Sequence, residues 1–231
     1  MILSPDDDGL VRLQKLLATP EVDGEVVTRL GTKVDPATAV IRVSGKRLPP
    51  PSPHVYLVLN KPRGVVSTMS DPEGRRTLGD LVAERPERLF HVGRLDTDTS
   101  GLIVLTNDGD FAQRLAHPSY EVDKTYVAEV EGEVTKATLA RLADGVTLED
   151  GPVEVSRTRI VQRGTGKTIV ELVIHEGRNR IVRRLLDHVG HPVTRLTRTR
   201  LGPVRLGQLK AGELRELTND ELGALLDSTQ M

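Results

Sequence analysis

The sequence predicts an α+β fold in which a mixed, mostly antiparallel sheet is flanked by helices. Its strand-like segments mostly alternate apolar and polar residues, and short turns join them. For both reasons antiparallel pairing with helices on one side fits better than repeated βαβ units. The predicted strands cover residues 55–60, 101–108, 124–132, 154–162, 167–177 and 192–202.

Four helices are predicted from the spacing of apolar residues and from signals at their ends. They cover residues 110–118, 135–144, 179–190 and 218–227. Thr135 is the expected N-cap of the second helix. Thr218 is the expected N-cap of the fourth, and Glu221, three residues later, completes a capping box.

A run of prolines divides the 231-residue chain. Residues 49–53, PPPSP, cannot join a sheet ladder and favour a stiff, extended linker. Before the linker, residues 1–48 form a small unit, with a short helix predicted over 11–18 and a turn at Asp23-Gly24 between β-like segments. A unit of this length is marginal for an independent core, so it leans on the rest or is incomplete. Residues 54–231 are long enough for a domain with its own core.

The composition excludes several classes of function. The chain has no cysteine, which excludes disulfides, thiolate zinc sites, iron–sulfur clusters and a cysteine nucleophile. No apolar run approaches the roughly 20 residues of a membrane span, and the acidic start is unlike a signal peptide. We therefore expect a soluble, cytoplasmic protein. Aromatic residues make up 2% of the chain, too few for a platform on which several bases stack.

The net charge of −1 conceals a strong asymmetry along the chain. Residues 157–210 contain 13 Lys and Arg against three acids, so this stretch carries an excess of ten positive charges. Such segregation is typical of proteins that bind polyanions, because each phosphate contact releases condensed counterions. The same excess of positive charge is equally compatible with an ordinary solvent-exposed surface, whose lysines and arginines form salt bridges with acids from other parts of the fold.

Two short motifs resemble binding loops but do not meet their requirements. RGTGKT at 163–168 resembles a P-loop, yet Val161 stands where the first glycine is needed and a strand-like run follows. Its glycines are better explained by the turn of a hairpin. DTDTSG at 96–101 resembles the opening of an EF-hand loop, but position twelve is Asn107 instead of glutamate and the flanks are strand-like. Neither nucleotide nor calcium binding is therefore expected.

The turn around Asp96 is the strongest candidate for chemistry. An Arg-Leu-Asp triplet at 94–96 enters a run of small residues, and a buried-looking strand follows. A lone aspartate in a turn usually caps that turn, and Asp98 competes with Asp96 because spacing alone does not choose between them. Arg94 lies on the same side as Asp96 if the segment is extended.

Four arginines, Arg178, Arg180, Arg183 and Arg184, lie at the start of the predicted helix over 179–190. The apolar residues of that helix form one stripe, and spacings of three and four residues bring Arg183 and Arg184 close to Arg180. Guanidinium groups this close repel one another unless they face anions. The helix therefore presents either a solvated basic face or a set of phosphate contacts with one arginine turned inward onto a carboxylate.

Five motifs occur in an order that is similar to that of a known enzyme family. They are KPRG at 61–64, GRLDTDTSGLIVLTNDG at 93–109, KTY at 124–126, EGRNRIVRRLL at 176–186 and RLGPVRLGQLKAGELREL at 200–217. Together they resemble the RsuA-type pseudouridine synthases, which modify ribosomal RNA. The resemblance runs from about residue 54 to the end of the chain. The arginine-rich motif and the last motif are closer to the members that act on the large ribosomal subunit.

The chain departs from the family pattern in two places. Residues 1–48 resemble the small alpha-L (S4-like) RNA-binding domain of these enzymes, but the central helical hairpin expected between Ala18 and Glu21 is missing. We therefore describe this region as truncated. Ile181 stands where many relatives have glutamine, next to the arginines of the helix.

The resemblance implies roles for particular residues. Asp96 becomes the catalytic carboxylate, Tyr126 the tyrosine that packs against the target base, and Arg183 the basic residue that pairs with the catalytic aspartate. Leu201 is expected to floor the pocket, with Leu206 as the alternative. Lys61 and Arg63 of the first motif are either structural or RNA-facing. The expected RNA contacts are Arg94, Lys124, Arg178, Asn179, Arg180 and Arg184.

The activity implied by the resemblance is the conversion of a uridine in a ribosomal RNA stem-loop to pseudouridine, without a metal or an organic cofactor, by a monomer. Asp96 would act at the ribose, either as a nucleophile or as the base of a glycal-type elimination. Tyr126 would accept a proton from C5 in the last step. The alternative from another class is a non-catalytic RNA-binding or ribosome-assembly factor on the same fold.

Overall fold

The computed structural model describes residues 11–12, 20–29, 32–35, 39–47 and 53–231. It divides the chain into two compact units, residues 1–54 and 55–231. Most of the proposed linker, 49–52, and most of the helix predicted over 11–18 lie outside the described residues. Residues 11 and 12 begin that predicted helix but form a short strand in the structure, so the helix prediction is wrong at its start.

The described part of the first unit is made of short β-strands. β1 pairs with β4, and a four-stranded sheet has the order β3-β2-β5-β6. Ile41 is buried here, and partly buried apolar side chains such as Val22 and Val43 pack against it. The turn predicted at Asp23-Gly24 connects β2 with β3, and both residues have positive φ angles. The strands are β1 (Val11–Arg12), β2 (Pro20–Val22), β3 (Glu25–Val26), β4 (Lys33–Val34), β5 (Ile41–Val43) and β6 (Lys46–Arg47).

The second unit is built on a nine-stranded sheet. The strands are β7 (Tyr56–Lys61), β8 (Phe90–Val92), β9 (Thr99–Thr106), β10 (Lys124–Glu131), β13 (Arg157–Gly164), β14 (Lys167–Ile174), β15 (Val193–Leu201), β16 (Val204–Arg205) and β17 (Leu214–Glu216). The main path of the sheet has the order β13-β14-β10-β15-β9-β7-β17, with β16 beside β15 and β8 beside β9. All of these pairs are antiparallel except the pair of β15 with β9, which is parallel. A separate hairpin pairs β11 (Val146–Leu148) with β12 (Gly151–Val153).

Two helices of this unit begin at the threonine N-caps that the sequence predicted. Thr135 and Thr218 each accept a hydrogen bond from the backbone of the first turn, and Glu221 completes the predicted capping box with Thr218. The helix predicted over 179–190 differs, because Arg180 at its N-cap has a φ of 48° and makes no side-chain cap. The helices are α1 (Leu78–Leu81), α2 (Gly109–Ala116), α3 (Lys136–Ala143), α4 (Ile181–His188) and α5 (Asn219–Ser228). None of the helices in the described part of the chain is long and apolar enough to cross a membrane.

Alternation along the strands separates two apolar cores. Leu57 and Leu59 of β7 belong to one cluster, whereas Val58 between them belongs to the other. Successive side chains of a strand point to opposite faces, so the two clusters lie on opposite sides of the sheet. The apolar stripe of α4 packs into the first cluster, which fixes the helix and its arginines on that face.

The predicted fold class is confirmed: the sheet is mixed, mostly antiparallel and flanked by helices. Each of the six predicted strands and four predicted helices of this unit has a counterpart within a few residues. The elements that sequence patterns did not predict are short, and they are α1, β8, β11, β12, β16 and β17.

Candidate active site

Asp96 lies in the loop that connects β8 with β9, at the edge of an open cleft of about 690 Å³. Its side chain is 31% exposed, so the carboxylate is accessible from solvent. Residues from three segments, within 63–67, 94–98 and 179–180, line the cleft. The first segment follows β7, the second precedes β9 and the third precedes α4. The site is therefore formed where three chain segments meet at the sheet.

Two loops of the cleft are joined by short hydrogen bonds. The backbone N–H of Gly64 donates to the carbonyl of Thr97 at 2.7 Å. The hydroxyl of Ser67 donates to the carbonyl of Leu95 at 2.6 Å and accepts from the N–H of Leu95 at 3.1 Å. Because these bonds bracket Asp96 on both sides, they hold its backbone in place.

Lys61 is a structural residue of this site. It is fully buried, and its ammonium donates to the carbonyls of Pro62 and Val65 at 3.0 and 2.7 Å. Burial lowers the pKa of Lys61 to about 8, against the opposing charges of Asp96 and Asp98. The buried ammonium thus holds the loop after β7 in place, which is the structural one of the two expected roles. Arg63, two residues later, is exposed and lines the cleft.

Arg180 binds Asp98 in preference to Asp96. Its Nη1 and Nη2 donate to Oδ1 and Oδ2 of Asp98 at 3.1 and 2.9 Å. The distance from Nη1 of Arg180 to Oδ2 of Asp96 is 4.0 Å. Partial burial opposes ionisation of Asp98, but the hydrogen bonds from Arg180 and the charges of Arg183 and Arg180 outweigh it, so the pKa of Asp98 is lowered.

Arg183 also contacts Asp98. Its Nη2 donates to the backbone carbonyl of Asp98 at 3.0 Å, its Nη1 donates to the carbonyl of Val193 at 3.1 Å, and its Nε lies 3.3 Å from Oδ2 of Asp98. Burial lowers the pKa of Arg183, and the charge of Asp98 opposes that shift. The expected pairing of Arg183 with Asp96 is thus replaced in this structure by a pairing with Asp98, two residues further along the chain.

Tyr126 lies behind the cleft, in a row of residues that crosses the sheet. It is 8% exposed and belongs to the apolar cluster under α4. In the strand register, Tyr126 of β10 is opposite Arg198 of β15, and Arg198 is opposite Gly101 of β9. Gly101 is in turn opposite Lys61 of β7. Neighbouring strands are about 4.8 Å apart, so Tyr126 is two strand spacings from Gly101. The structure brings the tyrosine to the same part of the sheet as the cleft but not into its wall.

Leu201 lies in the second apolar cluster together with Val204 and Leu225, and Leu206 packs against the same cluster. Neither leucine belongs to the residues that line the cleft. The expectation that one of them floors the pocket stays a prediction that this geometry does not support.

Three of the predicted RNA contacts donate their hydrogen bonds within the protein. The ammonium of Lys124 donates to the carbonyls of Val122 and His175, and burial, followed by the charge of Arg198, lowers the pKa of Lys124 to about 8. The two other residues are Arg178 and Arg184. Arg178 binds Glu176, Asp150 and the carbonyls of Gly151 and Pro152; Arg184 binds Asp150 and the carbonyl of Asn179.

The other predicted RNA contacts face the cleft. Arg94 is exposed and lines it, as do Asn179 and Arg180. Neither Arg94 nor Arg63 has an ion pair with a described residue. The cleft is therefore rimmed by guanidinium groups, two of which are not committed to a partner within the described part of the chain.

Sequence reasoning did not single out Arg198. It is 3% exposed, its Nε donates to the carbonyl of Leu102 at 2.8 Å, and its Nη2 has no hydrogen-bond partner among the described residues. Its inward position on β15 follows from strand alternation, which was the available signal. Among the described residues no group of three or more His, Asp or Glu is arranged to hold a metal ion.

The structure thus places an accessible carboxylate in an open cleft that arginines line, beside a mixed sheet. The profile of the RNA pseudouridylate synthase family matches residues 55–188. The chain belongs to this family. The resemblance derived from the five motifs is therefore confirmed.

Individual relatives agree with this assignment. The chain is 49% identical to an uncharacterized RNA pseudouridine synthase of Mycobacterium leprae, over 94% of this chain and 93% of the relative. It is 44% identical to a protein of Bacillus subtilis named ribosomal large subunit pseudouridine synthase B, over 89% of this chain and 84% of the relative. A crystal structure of a pseudouridylate synthase superimposes with a TM-score of 0.66 at 29% identity, covering 90% of this chain and 89% of that one.

Proposed function

We propose that this protein isomerises a specific uridine of ribosomal RNA to pseudouridine, with RNA of the large subunit as the favoured substrate. The observation that carries the proposal is the accessible carboxylate of Asp96 in an arginine-rimmed cleft of about 690 Å³. That volume lies within the range of pockets that enclose a small ligand, so the cleft can admit a single extruded nucleotide. The name of the Bacillus subtilis relative supports ribosomal RNA of the large subunit as the substrate.

The reaction requires that the target nucleotide leave its stack. Extrusion costs a few kcal/mol, which contacts with the protein must supply. The exposed guanidiniums of Arg63, Arg94 and Arg180 line the cleft and are suited to neighbouring phosphates. Because double-stranded RNA hides its base edges in a deep, narrow groove, the target is expected in a loop or stem-loop.

Asp96 is the group proposed to act on the extruded nucleotide. The N1–C1′ bond breaks, the uracil rotates, and a bond from C5 to C1′ replaces it. Asp96 either attacks C1′ as a nucleophile or removes a ribose proton as the base of a glycal-type elimination. Either role needs an oxygen that is open to the sugar, and the carboxylate of Asp96 has no hydrogen bond from Arg180 or Arg183.

The remaining site residues act on the base and on the carboxylate. Tyr126 is proposed to pack against the uracil and to accept the proton that C5 loses in the last step. Arg183 is proposed to stabilise negative charge near Asp96 through its buried guanidinium. No step of this scheme calls for a metal or an organic cofactor. We further propose that the protein works as a monomer in the cytoplasm, where its ribosomal substrate is found.

The proposal is tested by tritium release from ribosomal RNA that carries [5-³H]uridine. The wild-type protein is expected to release tritium, and Asp96→Asn to release none while it binds the same RNA with nearly unchanged affinity. Pseudouridine mapping in cells that lack the protein then identifies the modified position. An active Asp96→Asn variant would contradict the assignment of the carboxylate. A wild-type protein that binds ribosomal RNA but releases no tritium would favour the non-catalytic binding factor.

A further inference from the structure

Arg198 is a buried cation whose donors the fold does not fully use. It is 3% exposed and forms no ion pair with a described residue. Its one side-chain hydrogen bond within that part of the chain is from Nε to the carbonyl of Leu102, and its Nη2 is a buried donor without an acceptor there. A buried charge without a counter-charge and a buried N–H without an acceptor each destabilise the folded state. Such a group requires an explanation beyond the fold.

Arg198 lies beside Tyr126 on the same face of the sheet. The two residues are opposite each other in the antiparallel pair of β15 with β10. The Cβ atoms of such partners are about 4.5–5.5 Å apart. Leu196, two residues before Arg198, packs in the same apolar cluster as Tyr126. Because the proposed function places the uracil against Tyr126, a base in that position comes within reach of the guanidinium of Arg198.

A second buried cation adds to the positive charge at this place. Lys124 is two residues before Tyr126 on β10, so the two side chains are on the same face. Burial and then the charge of Arg198 lower the pKa of Lys124, so the two cations are close to each other. The ammonium of Lys124 donates to the carbonyls of Val122 and His175. Arg198 is therefore the cation of this pair that has a buried donor left for a ligand.

The reaction supplies an acceptor that fits this donor. When the N1–C1′ bond breaks, its electron pair stays with N1, whether Asp96 attacks C1′ or removes a ribose proton. The base is then a uracil anion, whose negative charge is shared among N1 and the carbonyl oxygens at C2 and C4. A preformed donor in a water-excluded site stabilises such developing charge strongly. Phosphates fit less well, because they would have to enter the core, whereas Arg63 and Arg94 are exposed at the cleft.

We propose that Arg198 donates from Nη2 to a carbonyl oxygen of the uracil and stabilises the uracil anion that leaves C1′. The inference rests on the proposed function, because it takes this protein to break the glycosidic bond of a uridine. Neither Arg198 nor Tyr126 lines the cleft, so the contact forms when the cleft opens toward the tyrosine. The role belongs to the first half of the reaction, before C5 bonds to C1′ and Tyr126 accepts the C5 proton.

Arg198→Met removes the charge and keeps an unbranched side chain. The single-turnover rate constant for pseudouridine formation at saturating ribosomal RNA is expected to fall about 10²- to 10³-fold, the usual loss for one donor to developing negative charge. RNA affinity is expected to stay within about twofold of wild type, because phosphate contacts at the cleft dominate it. The Tm is expected to stay within about 4 °C, the shift that one lost hydrogen bond produces in a chain of this size.

Chemical rescue tests the charge itself. Arg198→Ala leaves room for a guanidinium ion, and millimolar guanidinium chloride is expected to raise its rate constant at least about tenfold. Urea has a similar shape but no charge, and sodium chloride matches the ionic strength. Neither of these two controls is expected to raise the rate constant.

An isotope experiment identifies the step that slows. Pseudouridine formation by Arg198→Met is expected to show no primary isotope effect when the target uridine carries deuterium at C5, because the C5–H bond breaks after the slow step. Tyr126→Phe is the matched control, since its loss falls on the removal of that hydrogen, and it is expected to show the effect.

The proposal is overturned if Arg198→Met is as fast as wild type or no longer folds, because the arginine then serves the fold. It is also overturned if guanidinium rescues Arg198→Ala no better than urea does, or if deuterium at C5 slows Arg198→Met. Wild type in the same assay separates these results from a failure of the proposed function. If wild type forms pseudouridine, only the inference about Arg198 is in question.

Discussion

Arg184 of α4 donates from Nη2 to Oδ2 of Asp150 at 2.8 Å, across 34 residues of chain. Asp150 lies in the turn between β11 and β12, and Arg178 binds the other oxygen of the same carboxylate at 3.0 Å. The hairpin is thereby fastened to the start of the basic helix. Three arginines around the start of α4 consequently fall into two groups. Arg178 and Arg184 face the hairpin, and Arg180 faces the cleft.

This division predicts which cations contribute to the salt dependence of RNA binding. Each phosphate contact that is lost reduces the slope of log K against log salt concentration by about 0.7 to 0.9. Arg94→Ala is expected to reduce that slope by about one contact, because Arg94 is exposed at the cleft. Arg184→Ala is the matched control, and its slope should equal that of wild type. RNA affinities measured between 50 and 300 mM salt, about the range in which such slopes are linear, check both expectations. A slope that falls as much for Arg184→Ala as for Arg94→Ala would contradict this division. It would show that Arg184 leaves Asp150 and binds an RNA phosphate instead.

Much of the fold was predictable because it depends on local patterns. The alternation of β10 and β14 and the apolar stripe of α4 appear in the sequence as periods of 2 and 3.6. The capping box of Thr218 and Glu221 is a signal within four residues. Asp96 was found because its motif is specific to a family. In each case the information lies within one short segment.

The partners of the arginines were not predictable, because they are distant in the sequence. Arg180 meets Asp98 across 82 residues, and nothing in either segment indicates that Asp98 would bind it in place of Asp96. The sequence likewise left Lys61 open as either a structural or an RNA-facing residue, and the structure buries its ammonium against two carbonyls. Strands of two or three residues such as β16 and β11 are too short to show a period.

The buried ammonium of Lys61 predicts a pH dependence of stability. Burial lowers the pKa of Lys61 to about 8 in the folded protein, from 10.5 for a free lysine. Between these two values the unfolded chain holds a proton that the folded protein has released. The contribution of Lys61 to stability therefore rises as the pH increases from about 8 to 10.5, by at most on the order of 3 kcal/mol, and it is lost as the pH falls back through 8.

Denaturant unfolding of wild type and Lys61→Met checks this dependence. The difference in unfolding free energy between the two is expected to shift in favour of wild type as the pH rises through this window. The comparison cancels Lys124, which also has a pKa of about 8 and is present in both proteins. Lys210→Met is the control, because that side chain is 83% exposed, and it should follow wild type at every pH. A constant difference between wild type and Lys61→Met would contradict the prediction.

Gly101 is expected to tolerate no side chain. Its φ is 113°, and a Cβ built on it would lie 2.2 Å from the backbone oxygen of Arg198. Since that neighbour is backbone in the parallel pair of β15 with β9, the strands would have to separate. Gly101→Ala is expected to destabilise the protein by at least about 3 kcal/mol.

Gly109 provides the matched control for this substitution. It is the first residue of α2, and a Cβ there would meet no atom within 4 Å. Gly109→Ala is expected to be neutral or to stabilise the protein by up to about 1 kcal/mol. Thermal or denaturant melts of both variants measure the contrast. Equal stabilities would mean that the β9–β15 contact can open to admit a methyl group.

Tyr126→Phe separates the chemistry of the phenol from its packing. The ring is 8% exposed and packs in the cluster under α4, and the hydroxyl makes no hydrogen bond to the described residues. Removing the hydroxyl should therefore leave the unfolding free energy within about 0.5 kcal/mol of wild type. If the phenol accepts the C5 proton, tritium release should fall by about 10²- to 10⁴-fold, while RNA affinity is preserved.

Tyr120→Phe, on the short turn at Pro118–Tyr120 after α2, is the control and should keep full activity. Because Tyr126 does not line the cleft, such a loss would also mean that the cleft opens toward the tyrosine when the base enters. Undiminished tritium release from Tyr126→Phe would instead assign the tyrosine to the core and require another proton acceptor.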